Sequence, residues 1–165
     1  MQNIKNFKKG FTLIELLVVV AIVGLLAMMT FGYLGSARKK GNDTAVKSNL
    51  ATVRTASEIF FLSNGSSYLP STGFTLGLTT PCPSDYVGAS GSNMFVADRA
   101  ISDALTIAKS KGIESYCYNS VNIWSIAIGL NMDSTTSWCV DSLPSAKLSS
   151  FVASSDIDPA TNLCK

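Results

Sequence analysis

Apolar residues dominate positions 11–37 so completely that Glu15 is the single charged side chain among them. A helix rising about 1.5 Å per residue needs roughly 20 such residues to cross a hydrocarbon core of about 30 Å, so this stretch is long enough to span a membrane. Helical periodicity continues past it. Val46, Leu50, Val53, Ala56 and Phe60 recur at steps of 4, 3, 3 and 4, with Lys47, Asn49, Arg54 and Glu58 largely off that stripe. Asn64-Gly65 supplies a stop and Pro70 a second one, which predicts one helix over about 11–63. Its first half, 11–37, reads as a membrane or helix-packing segment. Its second half, 38–64, is amphipathic and presents one apolar face to a small domain.

The remainder, 65–165, reads as a globular head. Residues 71–92 are rich in Gly, Ser, Thr and Pro, with Pro81-Cys82-Pro83 at the centre, and are expected to form a loop. Met94, Ala97, Ile101, Leu105 and Ala108 give a second helix over about 94–110, ended by Gly112. Three strands are expected at 115–120, 122–130 and 137–141, joined by short turns into an antiparallel meander. The middle one is apolar on both faces, as suits a central strand covered by the long helix. Trp124 and Trp138 are read as core or edge aromatics rather than a binding platform. The pattern as a whole predicts an α+β fold with a long N-terminal helix packed on a small antiparallel sheet.

An acid inside an apolar run is costly unless it has a partner or a task, so Glu15 is the first candidate functional residue. Gly24, Gly32 and Gly35 are the next, because glycine costs up to about 1 kcal/mol relative to alanine within a helix. They mark places for bending or local unwinding, or for close helix packing through small residues. The chain has no histidine, which removes the commonest general base and metal ligand. No nucleophile-base pair, phosphate loop or metal-ligand spacing stands out, and no enzyme activity is expected.

The segment Gly10-Phe11-Thr12-Leu13-Ile14-Glu15, with Lys8-Lys9 before it and the apolar run behind it, resembles the class III signal of the type IV pilin family, which includes the pseudopilins. The phrases from Ser48-Asn49-Leu50 to Asn64-Gly65 and Ser66-Ser67-Tyr68-Leu69-Pro70 are similar to the pilin helix end and its turn, less specifically. The resemblance implies a leader, 1–10, removed after Gly10 by a prepilin peptidase, and N-methylation of Phe11. It also implies that Glu15 pairs with the N-terminal amine of a neighbouring subunit during assembly. The expected partners are further copies of the chain in a helical filament, the peptidase, the pilus or secretion assembly machinery, and the inner membrane. The subunit would reside in that membrane first and in an extracellular filament afterwards. Many pilins carry proline where this chain has Gly32, so a sharp kink there is not implied.

Loss of the leader changes the charge balance. Of 13 basic side chains, Lys5, Lys8 and Lys9 leave with it, so ten face eleven acids and no basic field remains for strong nucleic-acid binding. Cys82, Cys117, Cys139 and Cys164 all lie in the part expected to be exported, where oxidation is the rule. Spacing alone leaves three pairings open. Family resemblance favours Cys82 with Cys117 and Cys139 with Cys164, the second closing the C-terminal region. Scattered single cysteines without a CxxC unit argue against zinc. Asp133, Asp141, Asp156 and Asp158 raise calcium, known in some pseudopilins, although solvated loop acids explain them more simply and no cofactor is expected.

An ordinary secretory signal fits poorly, because no small-residue cleavage site follows the apolar run and Arg38-Lys39-Lys40 comes directly after it. The expected function is that of a structural subunit of a type IV pilus. A pseudopilin of a type II secretion or DNA-uptake system is the nearest alternative, and a membrane-tethered binding protein or adhesin that never polymerises is the alternative of another class. Adhesion, motility, DNA uptake and secretion are not separable on the sequence.

Overall fold

The structure is a computed structural model that describes residues 10–71, 73–88, 91–143, 147–149 and 153–165, with backbone alone at 30–32 and 147–149. The expected leader, with Lys5, Lys8 and Lys9, lies outside the described residues except for Gly10. Helix α1 runs from Leu13 to Ser63 without interruption. The chain nevertheless divides into two compact units, Met1–Ala37 and Arg38–Lys165. In the first, the described large apolar side chains from Phe11 to Leu34 are all at least half exposed. By length and composition this part of α1 can cross a membrane.

In the second unit the amphipathic stripe performs as its spacing predicts. Val46, Leu50 and Val53 are fully buried, and Ala56, Phe60 and Phe61 pack against the same core. The helix stops where the chain turns left-handed. Gly65 and Ser66 have φ of 66° and 62°, and the Ser66 amide reaches back to the Phe61 carbonyl at 3.0 Å, a six-to-one closure of the Schellman type. Gly65 occupies that region without a Cβ penalty.

Five strands follow in the order β1 (Leu76–Thr79), β2 (Ser115–Asn119), β3 (Trp124–Gly129), β4 (Ser137–Asp141) and β5 (Lys147–Ser149), each antiparallel to its neighbour. Three were expected. Strand β1 lies inside the segment read as a loop, because a four-residue edge strand with a register shift against β2 depends on its ladder rather than on its own composition. Strand β5 is hidden in the sequence for the same reason.

The expected second helix is also two. Helix α2 (Met94–Ala97) ends at Asp98, whose extended backbone and side chain then cap α3 (Arg99–Lys111) through the Ile101 amide at 3.0 Å. Gly112 closes α3, where a Cβ would overlap Ile128 Cγ2, so the helix can pack directly on β3. A short helix α4 (Ala153–Asp156) precedes the C-terminal segment.

Strand β3 is buried at all six positions because both faces of the sheet are covered. Trp124, Ile126 and Ile128 face the main core shared with α1 and α3. Ala127, on the other face, joins Cys139, Ala153, Ile157 and Cys164 in a second cluster beneath the C-terminal segment. Alternation along the strands puts Cys117, opposite Ile126, in the first core and Cys139, opposite Ala127, in the second. The bridges Cys82–Cys117 and Cys139–Cys164 therefore staple opposite faces, with Cα separations of 5.2 and 5.8 Å.

Candidate functional site

The N-terminal site is built from four consecutive residues at the start of α1. Thr12 sits immediately before the helix, and its hydroxyl accepts from the Glu15 amide at 3.3 Å. The Glu15 Oε2 accepts in return from the Thr12 amide at 2.9 Å and the Thr12 hydroxyl at 2.7 Å. This reciprocal pair is a capping box, which satisfies helix donors that have no partner within the helix. The signal was present in the sequence as Thr-x-x-Glu, but Glu15 was read there only as half of an intermolecular pair. One carboxylate oxygen, Oε2, is occupied within the subunit. Glu15 shares a helix surface with Phe11, Ile14, Val18 and Val19, an apolar setting in which its charge stands alone among the described residues of 11–37.

Gly24 and Gly35 have open space where a Cβ would project, so no contact inside the subunit requires glycine at either position. Both, with the backbone of Gly32, lie within the continuous α1.

On the second unit, α1 presents an outward face that the sequence reading passed over. Gly41, Ala45, Ser48, Thr52, Thr55, Ile59 and Leu62 follow at alternating steps of four and three, none of them charged and none fully buried. Ile59 is 63% and Leu62 77% exposed. A 4-3 spacing of small and apolar residues is the pattern by which helices pack side by side. Charged groups are held to the flanks. Glu58 accepts from the Tyr68 hydroxyl at 2.9 Å, and Arg54 donates to the Leu143 carbonyl. Burial, and after it the Glu58 carboxylate, pushes the Tyr68 phenol up to about 12.

Three inward residues of β4 hold the C-terminal segment in sequence. Ser137 donates to the Asp156 carboxylate, Cys139 bonds covalently to Cys164, and Asp141 Oδ2 accepts from the Cys164 amide at 3.0 Å. Asp133, Asp141, Asp156 and Asp158 are thus distributed over separate tasks. Asp133 accepts from the Thr135 hydroxyl and amide, which lowers its pKa, and Asp158 accepts from the Ala160 amide at 2.8 Å. No three described acidic or cysteine side chains gather around one point.

Comparison with known proteins bears on the N-terminal segment. Residues 5–31 match the model of the prokaryotic N-terminal methylation motif. The type IV wide pilus major component PilA4 of Thermus thermophilus is 45% identical over 58 residues. The N-terminal segment of this chain is thus similar to that of type IV pilins. The alignment with the Thermus protein covers 35% of this chain and 44% of that relative, so it spans less than half the length of either. No solved structure gives a significant match. Helix α1, the five-stranded sheet and the two disulfides make an α+β, pilin-like architecture.

Proposed function

We propose that this chain is a type IV pilin, the structural subunit of a pilus, cleaved after Gly10, N-methylated at Phe11 and polymerised through α1. The observation that carries the reading is the uncharged face of α1. Residues 11–37 carry exposed apolar side chains, and after Arg38-Lys39-Lys40 the second unit carries the exposed 4-3 seam from Gly41 to Leu62, so each part of α1 offers a surface for other helices. Water disfavours the apolar part of that surface, and close packing of copies removes it from water. Glu15 then supplies the register. Its carboxylate enters an apolar interior with one oxygen committed to Thr12, and the new amine of a neighbouring Phe11 compensates its charge. The name of the Thermus relative, a pilus major component, supports an extracellular filament.

A pseudopilin of a secretion or DNA-uptake system would share the processing and packing steps, and differs in where its filament ends. A tethered binding protein would keep residues 1–10 and remain single.

The test is mass spectrometry of the N-terminus in cells with and without a prepilin peptidase, followed by electron microscopy of the sheared surface fraction. N-methyl-Phe11 that depends on the peptidase, together with surface filaments containing the chain, is the expected result. Filaments confined to the periplasm would select the pseudopilin. An uncut N-terminus would overturn both.

A further inference from the structure

Beside the filament seam, α1 turns Lys40, Thr44 and Lys47 along one line, at steps of four and three, into an open groove. Leu130, Met132 and Thr136 of the β3–β4 connection complete it, and the groove encloses about 340 Å³. Its electrostatics are unusual for a surface with a nearby acid. Asp43 also lines the groove, yet it is 93% buried and spends its carboxylate on the connection: Oδ1 accepts from the Asn131 amide and side chain at 2.6 and 3.2 Å, and Oδ2 from the Met132 amide at 3.0 Å. The next acid, Asp133, is turned to Thr135. Among the described residues no ion pair joins Lys40 or Lys47 to an acid, and Lys47 instead lies over the Trp138 ring at 4.7 Å. Two ammonium groups with a hydroxyl between them therefore border an apolar floor.

We infer that this groove binds the phosphate headgroup of an anionic phospholipid. The occupant is argued from charge and from position in the chain. Lys40 closes the run Arg38-Lys39-Lys40, which begins immediately after the apolar stretch ends at Ala37, where headgroups meet a spanning helix. Lysine delivers a strongly hydrated point charge to phosphate, and its stem covers apolar surface on the way. Leu130 and Met132 suit the glycerol and upper acyl carbons of the same lipid. Headgroup binding would hold the subunit at the membrane until polymerisation draws it out. The inference rests on the membrane-anchored stage of the proposed function.

The experiment uses the full chain in vesicles of phosphatidylcholine alone or mixed with phosphatidylglycerol, and follows acylation of each lysine by mass spectrometry. Flotation of the vesicles is measured first. Failure to float in either composition would overturn the membrane stage and this inference with it. Floating protein whose Lys40 and Lys47 are acylated about threefold or more slowly with phosphatidylglycerol, relative to Lys165, is the expected result, since each basic residue near an anionic surface changes partition about fivefold. Met132→Glu, at a half-exposed floor position, should abolish that protection while leaving flotation intact. Protection unchanged in Met132→Glu would reduce the effect to general surface potential and overturn the site. Protection by inorganic phosphate alone, or only after filament assembly, would assign the groove to a free anion or to a neighbouring subunit and likewise overturn it.

Discussion

Asp43→Ala is the substitution whose consequence the structure specifies most closely. The carboxylate accepts three N–H groups from Asn131 and Met132, and these join the first turns of α1 in the second unit to the connection between β3 and β4. Hydrogen bonds to a charged acceptor are worth about 1.5 to 3 kcal/mol each, but Asn131 and Met132 are partly exposed and water recovers much of that in the variant. A net loss of about 2 to 4 kcal/mol follows for the three together. At roughly 4 °C per kcal/mol for a domain of this size, the melting temperature should fall by about 8 to 16 °C. Asp43→Asn should lose about half as much, because one amide oxygen replaces Oδ1 while the NH2 group opposes the Met132 amide. Near-UV circular dichroism of the full chain in detergent is the assay, since Trp124 is fully buried in the core. The difference should persist at high salt, because the partners of Asp43 are N–H dipoles rather than ions. A melting temperature within about 3 °C of wild type, or a loss that vanishes with salt, would refute the reasoning.

Three further outcomes separate the roles assigned above. Glu15→Gln keeps a capping acceptor but removes the charge, whereas Thr12→Ala removes the cap and keeps the charge. Filament yield measured by shearing should fall about tenfold or more in Glu15→Gln, with normal cleavage, and remain near wild type in Thr12→Ala; the reverse order would make capping the whole role of Glu15. Replacing Cys139 and Cys164 by serine opens a loop with a sequence separation of 25 and should cost about 3.5 kcal/mol by loop entropy, read as a lower denaturant midpoint with early exchange at the amide of position 164. The Tyr68 phenol ionises near 10 in the unfolded chain and at about 12 in the folded one, so its contribution is intact below pH 10. Between pH 10 and 12 only the unfolded chain loses the proton, and stability falls through that window; Tyr68→Phe should flatten the fall, and an unchanged alkaline profile would contradict the assignment.

What the sequence determined by itself is what depends on local pattern. The long helix follows from an uninterrupted apolar run and a 3.6-residue stripe, because helix bonds are made within the segment and its buried face repeats along the chain. The N-terminal methylation motif is linear too, a match over the consecutive residues 5–31. Even the capping box was legible as Thr12 and Glu15, three apart. Strands β2, β3 and β4 were found through their own β-branched and aromatic residues, whereas β1 and β5 exist through pairing with a neighbour and left too little signal in four and three residues.

Tertiary structure alone decided what depends on which face a side chain takes. Cys117 and Cys139 are both strand cysteines, and nothing in their spacing tells them apart. Register places one beside Ile126 and the other beside Ala127, on opposite sides of the sheet, so each bonds only within its own core. Asp43 read as one more polar residue after a basic run, and only the folded connection at Asn131 and Met132 buries it and leaves Lys40 and Lys47 without an acidic partner among the described residues. A chain records which groups it carries, but the partners of a charge or a thiol are fixed by residues distant in sequence that the fold brings within a few ångströms.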